Sequence, residues 1–259
     1  MFNLILNNIK NNHMKNSGNM LKKFISFFCL LFFAISVSAQ DETATVTKIQ
    51  YGIKVGTTLS TFSSEQPHNN YKPGFIGGVF VSYRLSDNMA LQLEPSYMQQ
   101  GGNLISIYDY TMFLVPDPPF LLEIREQKIT FHNVEIPLLL KYEKTVGRLN
   151  LFGVAGPSLG INFSSNTRTN VSARSLDEIP IYYNFYTEEN ITSSIELLQY
   201  GVVGGIGFET PVGKHSLIFD VKYRYGLNKT YPGYSYLGIY QIQGDLKTNS
   251  FYVTLGFGF

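Results

Sequence analysis

Alternation with a period of two residues recurs along most of this chain, and it restricts the fold more than any other feature. In a β-strand successive side chains point to opposite faces, so every second residue shares one environment. Residues 49–61 set Tyr51, Ile53, Val55 and Leu59 on one face and Gly52, Lys54, Gly56, Thr58 and Ser60 on the other. Residues 74–85 set Phe75, Val79, Val81, Tyr83 and Leu85 against Gly78, Ser82 and Arg84, with Ile76 and Phe80 interrupting the polarity. In 89–100 Leu91, Leu93 and Tyr97 oppose Gln92, Glu94 and Ser96, and in 129–142 Val134, Ile136, Leu138, Leu140 and Tyr142 oppose Glu135 and Lys141. Four further stretches, 149–163, 196–209, 215–227 and 251–259, repeat the pattern. It is clearest in 215–227, where Leu217, Phe219, Val221, Tyr223, Tyr225 and Leu227 alternate with Ser216, Asp220, Lys222, Arg224 and Gly226.

Eight such stretches predict eight antiparallel strands, and the links between them alternate in length. Residues 86–88, 144–148 and 210–214 are short and built from turn residues, whereas 62–73, 101–128, 164–195 and 228–250 are long and rich in Asn, Ser, Tyr and Pro. Short turns at one end and long loops at the other are the habit of transmembrane barrels, and an even strand number returns both chain ends to the periplasmic side. Membrane helices are excluded, because beyond residue 40 no uninterrupted apolar run approaches the roughly 20 residues one requires. Eighteen Tyr, 20 Phe and 23 Gly without a single Trp favour strands and turns.

Periodicity alone does not say which face is inside. The Gly-rich face carries sparse charges of both signs, which suits a narrow lumen, and the apolar face carries Tyr and Phe near strand ends, as membrane-interface girdles do. About five alternate apolar residues run roughly 30 Å along a strand, a little over 20 Å of height at a tilt near 45°. The expected fold is all-β: an eight-stranded antiparallel up-and-down transmembrane β-barrel over residues 49–259, with long outer loops and short periplasmic turns. A soluble barrel would invert it, enclosing Leu138, Val221 and Leu255 and leaving Lys141 and Asp220 in solvent.

Residues 1–39 read as an N-terminal extension and a secretory signal. Lys22 and Lys23 precede an apolar run over 24–37 that is short for a span and ends in Val37, Ser38 and Ala39, which predicts cleavage before Gln40. The preceding Asn-rich residues add nothing to a signal, so translation starts at Met14 or Met20 as readily as at Met1. Cys29 lies in the middle of the run, away from the cleavage point where lipid attachment would need it. The mature chain then opens with a short periplasmic segment, 40–48, and carries no cysteine. Removing Lys10, Lys15, Lys22 and Lys23 from 20 basic side chains leaves 16 against 19 acidic ones, a net of −3. With no basic cluster, nucleic acid is not an expected partner.

The segments Tyr51-Gly-Ile-Lys-Val-Gly56, Val134-Glu-Ile-Pro-Leu-Leu-Leu-Lys-Tyr142, Leu151-Phe-Gly-Val-Ala-Gly-Pro157, Tyr223-Arg-Tyr-Gly-Leu227 and Phe251-Tyr-Val-Thr-Leu-Gly-Phe-Gly-Phe259, following the signal ending Val37-Ser-Ala-Gln40, resemble outer-membrane β-barrel proteins of Bacteroidetes type. These are grouped with PorT-like and, more loosely, OmpA-like barrels. The resemblance implies an outer-membrane address, a terminal Phe259 read by the outer-membrane assembly machinery, and secretion-system components as partners beside the membrane lipid.

On the predicted inner face lie Lys54, Arg84, Glu94, Glu135, Lys141, Asp220, Lys222 and Arg224. Eight strands leave room only for side chains or a small ligand, so mutual ion pairing is the expected use of these groups. Tyr182, Tyr183, Phe185 and Tyr186 in one outer loop, and Tyr231, Tyr234, Tyr236 and Tyr240 in another, offer rigid amphipathic contact area for a partner or a glycan. No metal-ligand cluster, phosphate loop or cofactor motif is present. The expectation is a monomeric, non-enzymatic barrel with a structural, secretion-accessory or surface-interaction role. The alternatives are a small-ligand carrier or narrow channel, and a lipid-modifying enzyme in which His132 would meet a loop Ser and Glu126.

Overall fold

The computed structural model describes residues 48–63, 69–109, 120–175, 182–230, 235–236, 240–241 and 246–259. The expected signal, its expected cleavage site and Cys29 lie outside the described residues. The strands are β1 (Ile49–Ser63), β2 (Asn69–Asn70), β3 (Lys72–Ser86), β4 (Met89–Leu93), β5 (Ser96–Asp109), β6 (Phe120–Val146), β7 (Leu149–Ser175), β8 (Tyr182–Asn190), β9 (Leu198–Val212), β10 (His215–Gly226), β11 (Ser235–Tyr236), β12 (Tyr240–Gln241) and β13 (Lys247–Gly258).

All pairings are antiparallel, and eight strands close on themselves. β1 pairs with β3, β3 with the β4–β5 strand, that strand with β6, then β7, β9, β10 and β13, which returns to β1 with Ile53 opposite Phe257. β4 and β5 form one barrel strand interrupted at Glu94 and Pro95, since Val81↔Leu93 and Gly77↔Tyr97 continue the same register. Three two-residue turns join strands at the end where the start of β1 meets the end of β13, and Gly147 and Gly213 supply the positive φ, 64° and 66°, that such turns need.

The apolar face points outward. Leu138 and Leu255 are 43% and 55% exposed, whereas Lys141 and Asp220 are 1% and 0% exposed. The exposed band ends in rings at both edges. Phe75, Tyr97, His132 and Phe163 form a row across β3, β5, β6 and β7, and the Tyr97 hydroxyl lies 2.7 Å from His132 Nδ1. At the other edge Tyr51 stacks on Phe259 at 5.8 Å, and His215 and Phe257 pack beside Phe259. These are the two girdles of a lipid-embedded barrel.

Several features depart from the sequence reading. Segments 101–128 and 164–195 are largely paired strand where long loops are expected: β6 and β7 each run 27 residues, joined at their outer ends by β5 and β8. Above the girdle these four strands form a blade, and residues 120–132 alone reach about 40 Å at 3.3 Å per residue. A bulge at the His132/Asn133 step, where Phe163 is the extra β7 residue, marks the junction of wall and blade. The interior is also more apolar than expected. Ile76, Phe80, Met98, Leu139, Phe152, Val154, Val203, Ile218 and Tyr252 form one buried cluster. A second, Phe62, Leu104, Ile129, Phe131, Ile191, Ile195 and Leu246, fills the outer mouth, with Ile191 and Ile195 flanking the 3-10 turn Thr192–Ser194 after β8.

Candidate functional site

Register alone delivers the charged side chains to one level of the lumen. Lys54 of β1, Asp220 and Lys222 of β10 and Glu94 at the β4–β5 break project inward and meet. Lys54 Nζ donates to Glu94 Oε1 at 2.5 Å and to Asp220 Oδ2 at 2.7 Å. Lys222 Nζ donates to Glu94 Oε2 at 2.7 Å and Asp220 Oδ2 at 2.9 Å. Thr254 Oγ1 donates to Asp220 Oδ1 at 2.5 Å, and Gln92 Nε2 donates to Glu94. Two ammoniums thus share two carboxylates, and the one oxygen they leave, Asp220 Oδ1, accepts from the Thr254 hydroxyl, the condition under which buried charge is tolerable. The Lys54 ammonium also sits 5.1 Å from the Phe80 ring centre.

A second pair lies nearer the outer mouth: Arg224 Nε donates to Glu135 Oε1 at 2.6 Å, and Nη1 donates to the Thr248 carbonyl at 3.3 Å. Above it Asn133 donates to Gln100 at 2.6 Å, and Gln100 to Ser250 at 3.0 Å. Glycines make room for this layer. A Cβ on Gly256 would lie 2.9 Å from Lys54 Cγ, on Gly207 2.8 Å from Asp220 Cβ, on Gly160 2.7 Å from Glu135 Oε2 and on Gly201 3.1 Å from Arg224 Cζ. The Gly-rich inner face is the space that long ionic side chains occupy.

Seven of the eight residues expected to face the lumen do so and are buried; Arg84 does not belong with them. It has the inward parity, but it lies two residues before the end of β3, is 46% exposed and reaches Glu143 at only 3.8 Å. Lys141 pairs there with Glu143 at 2.5 Å and with Glu209 at 3.1 Å, and Gln50 donates to Glu209 at 2.6 Å. Glu143 and Glu209 are partners that sequence reasoning missed. Their inward parity was the available signal.

Of the expected loop contacts, Tyr182, Tyr183, Phe185 and Tyr186 lie in β8 rather than in a loop. Tyr183 and Phe185 stack at 6.3 Å with planes 9° apart, and Phe185 and Tyr186 are exposed. The Tyr186 hydroxyl donates to Glu188 at 3.0 Å, and that bond holds the phenol above its usual pKa. Tyr186 and Phe185 border a cleft of about 350 Å³ with Glu126, Asn170, Ser172 and Asn184. Tyr236 and Tyr240 fall in the two-residue strands β11 and β12, which pair with each other. Tyr231 and Tyr234, and the side chains of Tyr182, Tyr236 and Tyr240, lie outside the described residues. His132 and Glu126 share a strand face six residues apart, about 20 Å, so they do not meet. Among the described residues no group of three His, Cys, Asp or Glu is placed to hold a metal ion.

No curated protein matches the chain. Among solved structures, OprG from Pseudomonas aeruginosa is similar with a TM-score of 0.41 and 13% identity, covering 82% of this chain and 94% of that one. Neisserial surface protein A gives 0.38 and 12%, covering 80% and 95%. Ail of Yersinia pestis, in complex with a heparin analogue, gives 0.35 and 10%, covering 82% and 100%. A protein-family model, the outer membrane protein beta-barrel domain, matches residues 38–231. With its apolar wall outward and its ions enclosed, the chain belongs to that family and is a β-barrel of the bacterial outer membrane.

Proposed function

We propose that this barrel is a non-enzymatic surface-interaction protein, in which the membrane-embedded ring is an anchor and the blade makes the contact. The observation that carries this reading is the blade itself: four hydrogen-bonded strands held beyond the girdle, presenting exposed Tyr183, Phe185 and Tyr186 beside an amide-lined cleft. Rigid aromatic rings on a paired strand lose little freedom on binding, and large exposed rings mark contact surfaces. The filled interior supports an anchor rather than a conduit, and the engagement of His132 in the girdle supports a role without chemistry. A secretion-accessory role of PorT-like kind is one case of it, the partner then being an exported protein or a secretion-system component. The barrel acts as a monomer in outer-membrane lipid, delivered there by a cleaved signal and by an assembly machinery that reads Phe259.

The test is binding of the purified, refolded barrel to the secreted proteins and surface polysaccharide of its own cells, beside a Tyr183→Ser, Phe185→Ser, Tyr186→Ser variant. A loss of tenfold or more in the affinity of the captured component, with the fold intact, is the expected result. Equal binding by the two proteins overturns the assignment to the blade, and turnover of added lipid by the wild type overturns the non-enzymatic reading.

A further inference from the structure

The lipid-facing wall has a dent. Outward side chains are large over most of the band, but β7 presents Gly153 and Ala155 and β9 presents Gly204, with Ala155 opposite Gly204 and Gly153 opposite Ile206. A Cβ on Gly153 or Gly204 would meet nothing closer than 3.9 Å. Gly77, outward on β3, is by contrast covered by the Phe75 ring at 3.0 Å. Among the described glycines away from the turns, only Gly153 and Gly204 face open space. At Gly153 the dent opens into a cavity of about 530 Å³, walled by Tyr142, Leu151, Ile206, Phe208 and Val221 and almost wholly apolar, and Ala155 and Gly204 continue the shallow wall beyond it, away from the Gly147 turn.

One charge stands at its edge. Lys144 follows Tyr142 on the same outward face of β6, three residues before the Gly147 turn, and so lies at the periplasmic rim. It is exposed and has no hydrogen-bond or ion-pair partner among the described residues.

We propose that this dent seats one phospholipid of the periplasmic leaflet, an acyl chain in the trough and the phosphate on the Lys144 ammonium. A trough without polar lining offers nothing to a sugar or a peptide, whereas a hydrocarbon chain restores the dispersion contacts that three missing side chains forfeit. A lysine at the hydrocarbon edge extends its ammonium to the headgroup level, where a phosphate is the complementary charge. A second copy of the chain fits less well, since a twofold contact across the trough brings the Lys144 of both copies to the same rim.

Native mass spectrometry of the delipidated full barrel, titrated with phosphatidylglycerol, tests the proposal. The wild type is expected to retain one lipid. Gly153→Leu and Gly204→Leu, whose side chains enter open space, lower its affinity tenfold or more while migrating as folded barrels. Lys144→Gln, which needs no repacking, removes the preference for phosphatidylglycerol over diacylglycerol of the same chains and leaves diacylglycerol binding in place. Unchanged retention in both leucine variants overturns the seat, and an unchanged preference in Lys144→Gln overturns the phosphate contact. Dimers that the leucine variants dissolve would assign the trough to a second copy instead.

Discussion

Asp220 answers to two ammoniums and a hydroxyl at once, so its removal strands more charge than a single pair would. Asp220→Asn leaves Lys54 and Lys222 sharing Glu94, and breaking a buried pair costs about 3–5 kcal/mol. Urea unfolding of the barrel refolded into vesicles should register a loss of that size. Arg84→Ala, at the exposed rim, should shift the same transition by about 1 kcal/mol or less. Parity along each strand was enough to assign Lys54, Glu94, Glu135, Lys141, Asp220, Lys222 and Arg224 to the inside. It failed for Arg84 because a strand end obeys the same alternation after it has left the enclosed part of the ring. Ile76, Phe80, Leu139 and Val203 were hard to place for a different reason: where both faces are apolar, the period of two vanishes from the sequence.

Prolines interrupt three adjacent strands at one position. Pro95 separates β4 from β5, Pro137 lies in β6, and Pro157 falls where β6–β7 pairing lapses between Pro137↔Ser158 and Leu140↔Ala155. Each lacks an amide donor, so the ladder across these strands is locally thinned. Amide exchange read by mass spectrometry should run roughly tenfold faster in peptides covering 94–96 and 137–139 than in 53–57 of β1, the effect of losing about one hydrogen bond's 1–1.5 kcal/mol. Equal protection would show that neighbouring bonds compensate. The blade escaped the sequence reading by the same logic that revealed the barrel. Glu126, Lys128, Arg168, Asn170 and Ser172 lie above the membrane on the face that water wets, and the buried face behind them carries Gln127 and Thr167 beside Ile129 and Ala173, so no apolar alternation marks these segments.

The interior as a whole is solid. Arg224, Phe80, Phe131, Lys141, Lys222, Met98, Ile129 and Leu139 are all fully enclosed, as a narrow ring of eight strands allows. Planar-bilayer recordings of the refolded mature chain should therefore show no unitary conductance, and discrete openings would refute the closed lumen. Strand number, direction of the greasy face and membrane address were legible because lipid imposes one rule on every strand. The role at the cell surface was not, because it rests on side chains that water leaves unconstrained. The ionic cluster carries one more consequence. Lys54 belongs to the first strand, and its partners arrive 40 and 166 residues later in the chain. In an open sheet Lys54 can meet only Glu94, and Lys222 only Asp220, so the crossed contacts of Lys54 with Asp220 and Lys222 with Glu94 form when the first strand zips to the last, and partly closed intermediates hold half-solvated ions in hydrocarbon.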